Sequence, residues 1–280
     1  MGRWSIGSNT MNQIKKIELK NKQTGTVLEI IPEKGAMINA FSVLKNGASL
    51  SLIDGYASLE DAARGVGSKS SLLIPFPNRV ADGQYVFAGK SYQLPINMPK
   101  EHHAIHGFVE NQIFEVVETQ EKDESVVRLR YENVGDQPGY PFPFTVEIIY
   151  HLLSFGFEGE IKIENTGTMA MPLGVGWHPY FKTIGTIDKL KLYLPQVEKI
   201  MVDSRLIPTG QKEPYADFEQ GELIGKTAFD TGFVIKNSGG ERVSTALVDQ
   251  ENNLRIEIWQ EVGVGKFNYL QVYTPPGRQA

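Results

Sequence analysis

Phe157-Glu158-Gly159-Glu160-Ile161-Lys162-Ile163-Glu164 alternates side-chain character residue by residue, with Ile161 and Ile163 set between Glu160, Lys162 and Glu164. A period of two puts the isoleucines on one face of an extended chain and the charges on the other, the pattern of a strand that buries one side. Leu254, Ile256 and Ile258 alternate in the same way with Arg255, Glu257 and the amphipathic Trp259. Runs that alternate, or are rich in β-branched and aromatic residues, recur at 16–20, 26–31, 84–87, 91–94, 113–118, 125–131, 145–153, 189–194, 243–248 and 268–273.

Turn chemistry separates these runs. Asp82-Gly83, Ala88-Gly89-Lys90, Asn165-Thr166-Gly167 and Ser238-Gly239-Gly240 each offer a glycine where positive φ is needed, and they read as hairpins and β-arches. The one convincing helical candidate is 57–64, where Ser58 can cap a short helix with Leu59 and Ala62 on one side. So little helix excludes a wound βαβ sheet. The economical fold is all-β: a large antiparallel β-sandwich, two sheets packed face to face. No repeat or linker marks a second domain, so residues 11–280 are expected to form a single β-sandwich domain. Residues 1–10 are polar and unpatterned and read as an extension outside it.

Composition narrows the function. The formal charge is −5 and no basic stripe is present to neutralise phosphates, which argues against nucleic acid and for a small, neutral or weakly charged ligand. The absence of cysteine excludes disulfides, thiolate nucleophiles, cysteine-type zinc sites and iron-sulfur clusters. No apolar run approaches the roughly 20 residues that span a bilayer. The sequence is therefore read as that of a soluble, cytoplasmic protein, a monomer or dimer, with no membrane partner.

Three clusters could carry chemistry. Gly174-Val175-Gly176-Trp177-His178-Pro179-Tyr180-Phe181 places a histidine among aromatics in a run without charge. An imidazole there can pass a proton to a bound oxygen, and aromatic faces suit a sugar ring. A lone histidine beside Trp177 and Tyr180 is more often a core or surface residue, but Pro179 biases His178 toward an extended strand end, where sites are commonly built. In Pro75-Phe76-Pro77-Asn78-Arg79 the prolines hold an irregular backbone and present Asn78 and Arg79 at a sheet end; the Arg79 fork can grip adjacent hydroxyls or form an ordinary salt bridge. In His102-His103-Ala104-Ile105-His106-Gly107-Phe108, His106 reads as a neutral hydrogen-bonding group beside a close backbone approach, with His102 and His103 solvated. The His103/His106 spacing could suit a metal, but no carboxylate falls in a ligand pattern, so no metal is assigned. His151 belongs to an alternating strand and is given no role.

These segments, taken together, resemble the aldose 1-epimerase (galactose mutarotase-like) family, in its divergent bacterial branch. The resemblance rests on Asn78-Arg79-Val80-Ala81-Asp82-Gly83, Ile105-His106-Gly107-Phe108, Trp177-His178-Pro179-Tyr180-Phe181 and Phe229-Asp230-Thr231-Gly232-Phe233, in that order and spacing. It implies a β-supersandwich with a sugar pocket, and interconversion of the α and β anomers of a hexose without a cofactor. By the resemblance His178 is the general acid that protonates the ring oxygen and His106 its catalytic companion. Arg79, Asn78, Asp230 and Trp177 would meet the sugar. The family's general base is a glutamate shortly after a segment like Val272-Tyr273-Thr274-Pro275-Pro276, and no glutamate follows before Ala280, so the base is expected beyond Ala280. Glu257 and Glu261 are read as solvent-facing charges rather than replacements. Two alternatives accompany this expectation: a carbohydrate-binding protein without catalysis, and a hexose-phosphate mutarotase with Arg64, Lys69 and Lys182 as a basic patch.

Overall fold

The strand Phe144–Leu152 is apolar at every second position, and Phe144, Val146, Ile148, Tyr150 and Leu152 are each 3% exposed or less. In the computed structural model, which describes residues 15–121, 125–236 and 241–275, this strand pairs on one side with Ser125–Asn133 and on the other with Phe157–Asn165. The opening run therefore lies at a sheet edge, with Ile161 opposite Ile148 and Ile163 opposite Val146. Its charged face, Glu160, Lys162 and Glu164, is exposed, which discourages another chain from adding to that edge. Burying each large apolar side chain of such a face contributes about 1.5–3 kcal/mol.

The described residues form 22 strands and a single α-helix, a β-sandwich. Four four-stranded antiparallel sheets carry most of it. The sheet of Phe144–Leu152 and that of Ile17–Lys20, Val27–Ile31, Met37–Lys45 and Ala48–Ser51 share a main core built on Leu19, Leu28, Ile30, Ile38, Leu129 and Phe144. A second core, with Leu192, Leu194, Val197, Phe229 and Phe233, lies between the sheet containing Lys191–Tyr193 and the one in which Asp230–Ile235 pairs with Tyr269–Tyr273. Leu247 packs against both cores.

The helix spans Leu59–Arg64, with Ser58 Oγ accepting from the Asp61 N–H at 3.1 Å. Ala62 is fully buried and Leu59 packs with it against Ile31 and Met37, the side expected from the sequence. Ala88 and Gly89, at φ 48° and 76°, close the hairpin of Gln84–Phe87 and Lys90–Gln93. Asp82-Gly83 is a turn but not a hairpin, because the strands it joins, Arg79–Ala81 and Gln84–Phe87, pair elsewhere. Ser238-Gly239-Gly240 and residues 1–10 lie outside the described residues. No helix of the described residues is long and apolar enough to cross a membrane.

Candidate active site

Asn78 and His106 both adopt left-handed backbone conformations, at φ 62° and 65°. Two reciprocal hydrogen bonds hold them there: the His106 N–H donates to Asn78 O, and the Asn78 N–H donates to His106 Nδ1, each at 3.1 Å. Gly107 follows at φ 70°, where an added Cβ would lie 2.1 Å from Ile74 O. Non-glycine residues held at positive φ are costly and persist where surrounding contacts over-determine them, as at functional sites.

That knot sets Arg79. The Asn78 Oδ1 accepts from both the Arg79 N–H and Nη1, each at 3.0 Å, and the guanidinium, only 12% exposed, reaches Asp230 with Nη2 at 3.4 Å from Oδ2. Its Nε is buried without a partner among the described residues. Asp230 opens the strand Asp230–Ile235 and is steadied by Gln271, whose Nε2 donates to Oδ1 at 2.9 Å.

His178 ends the strand Gly176–His178, which pairs with Ser71–Leu73, and its carbonyl accepts from the Ser70 N–H at 2.8 Å. Its ring meets that of His106 nearly at right angles, with centroids 5.3 Å apart. Tyr180 stacks on the other side of His178 at 5.1 Å, and Tyr273 stands edge-on to Tyr180 at 6.2 Å.

Burial lowers the His106 pKa to about 4, aided by the nearby His178 and Arg79. Since Nδ1 accepts a backbone hydrogen bond, the neutral ring carries its proton on Nε2 and offers one donor. Burial also lowers the His178 pKa, opposed by its own backbone carbonyl, Glu110 and Asp230, which favour the protonated form. The Tyr180 hydroxyl is pushed up to about 12, first by burial and then by Tyr273, Tyr56, Asp230 and Asp54. The group thus combines a neutral imidazole at His106, a second imidazole at His178 on which burial and the two carboxylates act in opposite directions, a fixed guanidinium, a carboxylate and aromatic walls. Such a set can hold hydroxyls and pass protons to oxygen.

Asn78, Arg79, His106, His178 and Asp230 are thus linked through direct contacts, although they come from distant parts of the chain. Trp177 is not drawn into this network. As the neighbour of His178 on a strand it faces the other way, and its ring packs edge-on against Phe157 and Phe181 on the main core. His103 departs from the expected solvated state: it is fully buried in the strand His103–Ile105, with Nδ1 3.5 Å from Arg205 Nη2, while His102 is exposed beside Asp82. His102 lies outside that strand, in a turn at φ 57°, and His103 is the first residue the strand carries into the interior, a boundary that a three-residue strand is too short to announce. Tyr180 stands beside His178 as an aromatic wall, as the motif suggests, whereas Gln271, Tyr273 and Glu110 join the surroundings unforeseen; the available signal was the pairing of Asp230 with Tyr273, which sequence does not encode locally.

Arg64, Lys69 and Lys182 do line one cavity, but each has a carboxylate beside it: Asp61 for Arg64, and Asp54 for Lys69 at 2.7 Å and Lys182 at 3.9 Å. Glu257 pairs with Arg255 and Glu261 with Lys266 at the surface, as solvent-facing charges do.

Comparison with known proteins gives the family and the fold. Residues 15–280 match the family described as aldose 1-epimerase. The Escherichia coli protein YihR is 35% identical over 182 residues, covering 62% of this chain and 57% of that protein. Human galactose mutarotase is 26% identical over 220 residues, covering 73% and 63%. The chain thus spans less than two thirds of the length of these relatives. Among solved structures, a galactose mutarotase-like protein from Clostridium acetobutylicum superposes with a TM-score of 0.77 at 21% identity, covering 93% of this chain and 84% of that one. The sandwich is therefore the galactose mutarotase-like fold, and the chain belongs to the aldose 1-epimerase family.

Proposed function

We propose that the protein is an aldose 1-epimerase that interconverts the α and β anomers of a free hexose in the cytoplasm by acid–base ring opening, without a cofactor. The perpendicular His106–His178 pair, walled by Tyr180 and faced by the Arg79–Asp230 link, carries this reading. Opening the ring needs a proton delivered to the ring oxygen while another leaves the anomeric hydroxyl. His178, in the protonated form that Glu110 and Asp230 favour, is the donor to the ring oxygen, and in the reverse step it takes that proton back. His106, with its Nε2–H, donates to the same region, while Arg79, Asn78 and Asp230 hold and orient ring hydroxyls. The free aldehyde turns about its first carbon–carbon bond and recloses. The proton leaving the anomeric hydroxyl passes to water, since Glu257 and Glu261, held in surface ion pairs, are not assigned as its acceptor.

Polarimetry of freshly dissolved α-glucose and α-galactose tests the reading. His178→Ala is expected to lower the catalysed rate by roughly 10²–10⁴-fold with the circular-dichroism spectrum retained; an unchanged rate removes His178 from the mechanism. Sugar binding without turnover is a second reading, favoured by one observation: Asp230 is already held by Arg79 and Gln271. Saturable binding by the unaltered chain with no acceleration over buffer would select it.

A further inference from the structure

The geometry points to a second saccharide subsite beside the histidine pair: a cavity of about 480 Å³ lined by Asn39, Asp54, Tyr56, Arg64, Lys69 and Lys182, which receives the neighbouring ring of a neutral saccharide longer than one unit. The inference rests on the sugar reading of the His106–His178 site.

The cavity and the site share the same stretch of chain. Tyr180, stacked on His178, accepts the Asp54 N–H at its carbonyl at 2.8 Å, and Lys182, two residues on, donates its N–H to Leu52 O at 3.1 Å. Lys69 precedes Ser70, whose N–H is bound by the His178 carbonyl. Both Asp54, which lines the cavity, and Asp230 of the site act on the Tyr180 hydroxyl.

The walls are built. Asn39 accepts the Tyr56 N–H at Oδ1 at 2.8 Å and donates from Nδ2 to Glu29 at 2.7 Å, and Gly55 passes so close that a Cβ would lie 1.8 Å from Asn39 O. The Tyr56 hydroxyl donates to Val66 O at 3.1 Å and accepts the Lys69 N–H at 3.3 Å, which fixes its ring. A cavity of this volume falls in the range of small-molecule sites, about 300–1,000 Å³.

Charge decides the class of occupant. A phosphate needs cations well in excess, whereas here Asp54 lies beside both Lys69 and Lys182 and Asp61 beside Arg64, so that three lining cations meet two lining carboxylates. Balanced donors and acceptors around an aromatic ring suit hydroxyl groups, each of which donates and accepts. Lys182, 3.9 Å from Asp54 and outside hydrogen-bond distance, keeps its ammonium donors for such a ligand.

Calorimetric titration with glucose, galactose, maltose, lactose, melibiose and glucose 6-phosphate tests this. At least one disaccharide is expected to bind about tenfold more tightly than its monosaccharide, and Lys182→Ala to lose that advantage while monosaccharide affinity stays within about twofold, the scale of one hydrogen bond to a charged group. Disaccharides that bind no more tightly than monosaccharides, or a Lys182→Ala loss shared equally by both, overturn the subsite and leave the sugar site standing. Glucose 6-phosphate bound most tightly, and released by Lys182→Ala, overturns it in favour of an anion site. No binding of any sugar removes the underlying reading and the subsite together.

Discussion

A pKa of about 4 keeps His106 neutral where an ordinary histidine begins to charge, and the cause is burial first, then His178 and Arg79. The unfolded chain, with a histidine near 6.5, binds this proton more readily than the folded one. His106 therefore costs the fold nothing above pH 6.5 and destabilises it progressively as pH falls from 6.5 toward 4, by about 3 kcal/mol at the full extent. Burial of His178 acts in the same direction. Urea unfolding between pH 7.5 and 4.5 should show this loss, and a His106→Gln variant should show a shallower slope; an equal slope would place the acid sensitivity elsewhere. Glu110 favours the protonated form of His178, so Glu110→Gln should lower the His178 pKa further. A histidine titration by NMR reads the sign directly, and an upward move would mean that Glu110 does not face the ring.

Short elements position the site, and Gly107 shows how tightly. A Gly107→Ala change places Cβ 2.1 Å from Ile74 O at φ 70°, against backbone that cannot yield. It should cost about 3 kcal/mol or more and displace His106. Gly89→Ala, at φ 76° but with nothing within 4 Å of the added carbon, should cost only the left-handed backbone penalty of about 1–2 kcal/mol. Thermal unfolding of the two variants compares them, and equal losses would deny the close approach its role. The same elements explain what sequence could reveal. Gln84–Phe87 and Leu254–Glu261 were legible because one face is wet, while Met37–Lys45, Met-Ile-Asn-Ala-Phe-Ser-Val-Leu-Lys, has no clean alternation, and Pro208–Tyr215 is exposed nearly throughout and lacks an apolar face. The strands Ser71–Leu73, Arg79–Ala81 and His103–Ile105 are three residues each, below the length at which periodicity registers. Those strands carry or flank the candidate site, so its residues were proposed from motif resemblance where pattern could not propose them.

At the scale of the molecule the site depends on strands from both halves: Arg79 precedes Val80, which packs on the main core, and His106 lies between Ala104 and Phe108 of that core, whereas Asp230 begins the strand that carries Phe233 into the second core. Motif order suggested Asp230, but its contact with Arg79 spans a separation of 151 positions and could come only from the fold. Whether two cores make one cooperative unit follows from what joins them. Leu247 packs against both, and the hairpin of Arg242–Asp249 and Leu254–Glu261 sends Ile256 to the main core and Val243 to the second. We propose on this ground that residues 11–280 fold as one domain, with a single unfolding transition followed alike by tryptophan fluorescence and far-ultraviolet circular dichroism. Phe144→Ala in the main core and Phe233→Ala in the second, both fully buried, should each cost about 3–5 kcal/mol and shift that one transition to lower denaturant without splitting it. A Phe233→Ala variant that melts in two steps, losing sugar binding in the first while the fluorescence of the main core persists to the second, would show that the cores fold separately and that Arg79 meets Asp230 across a domain boundary.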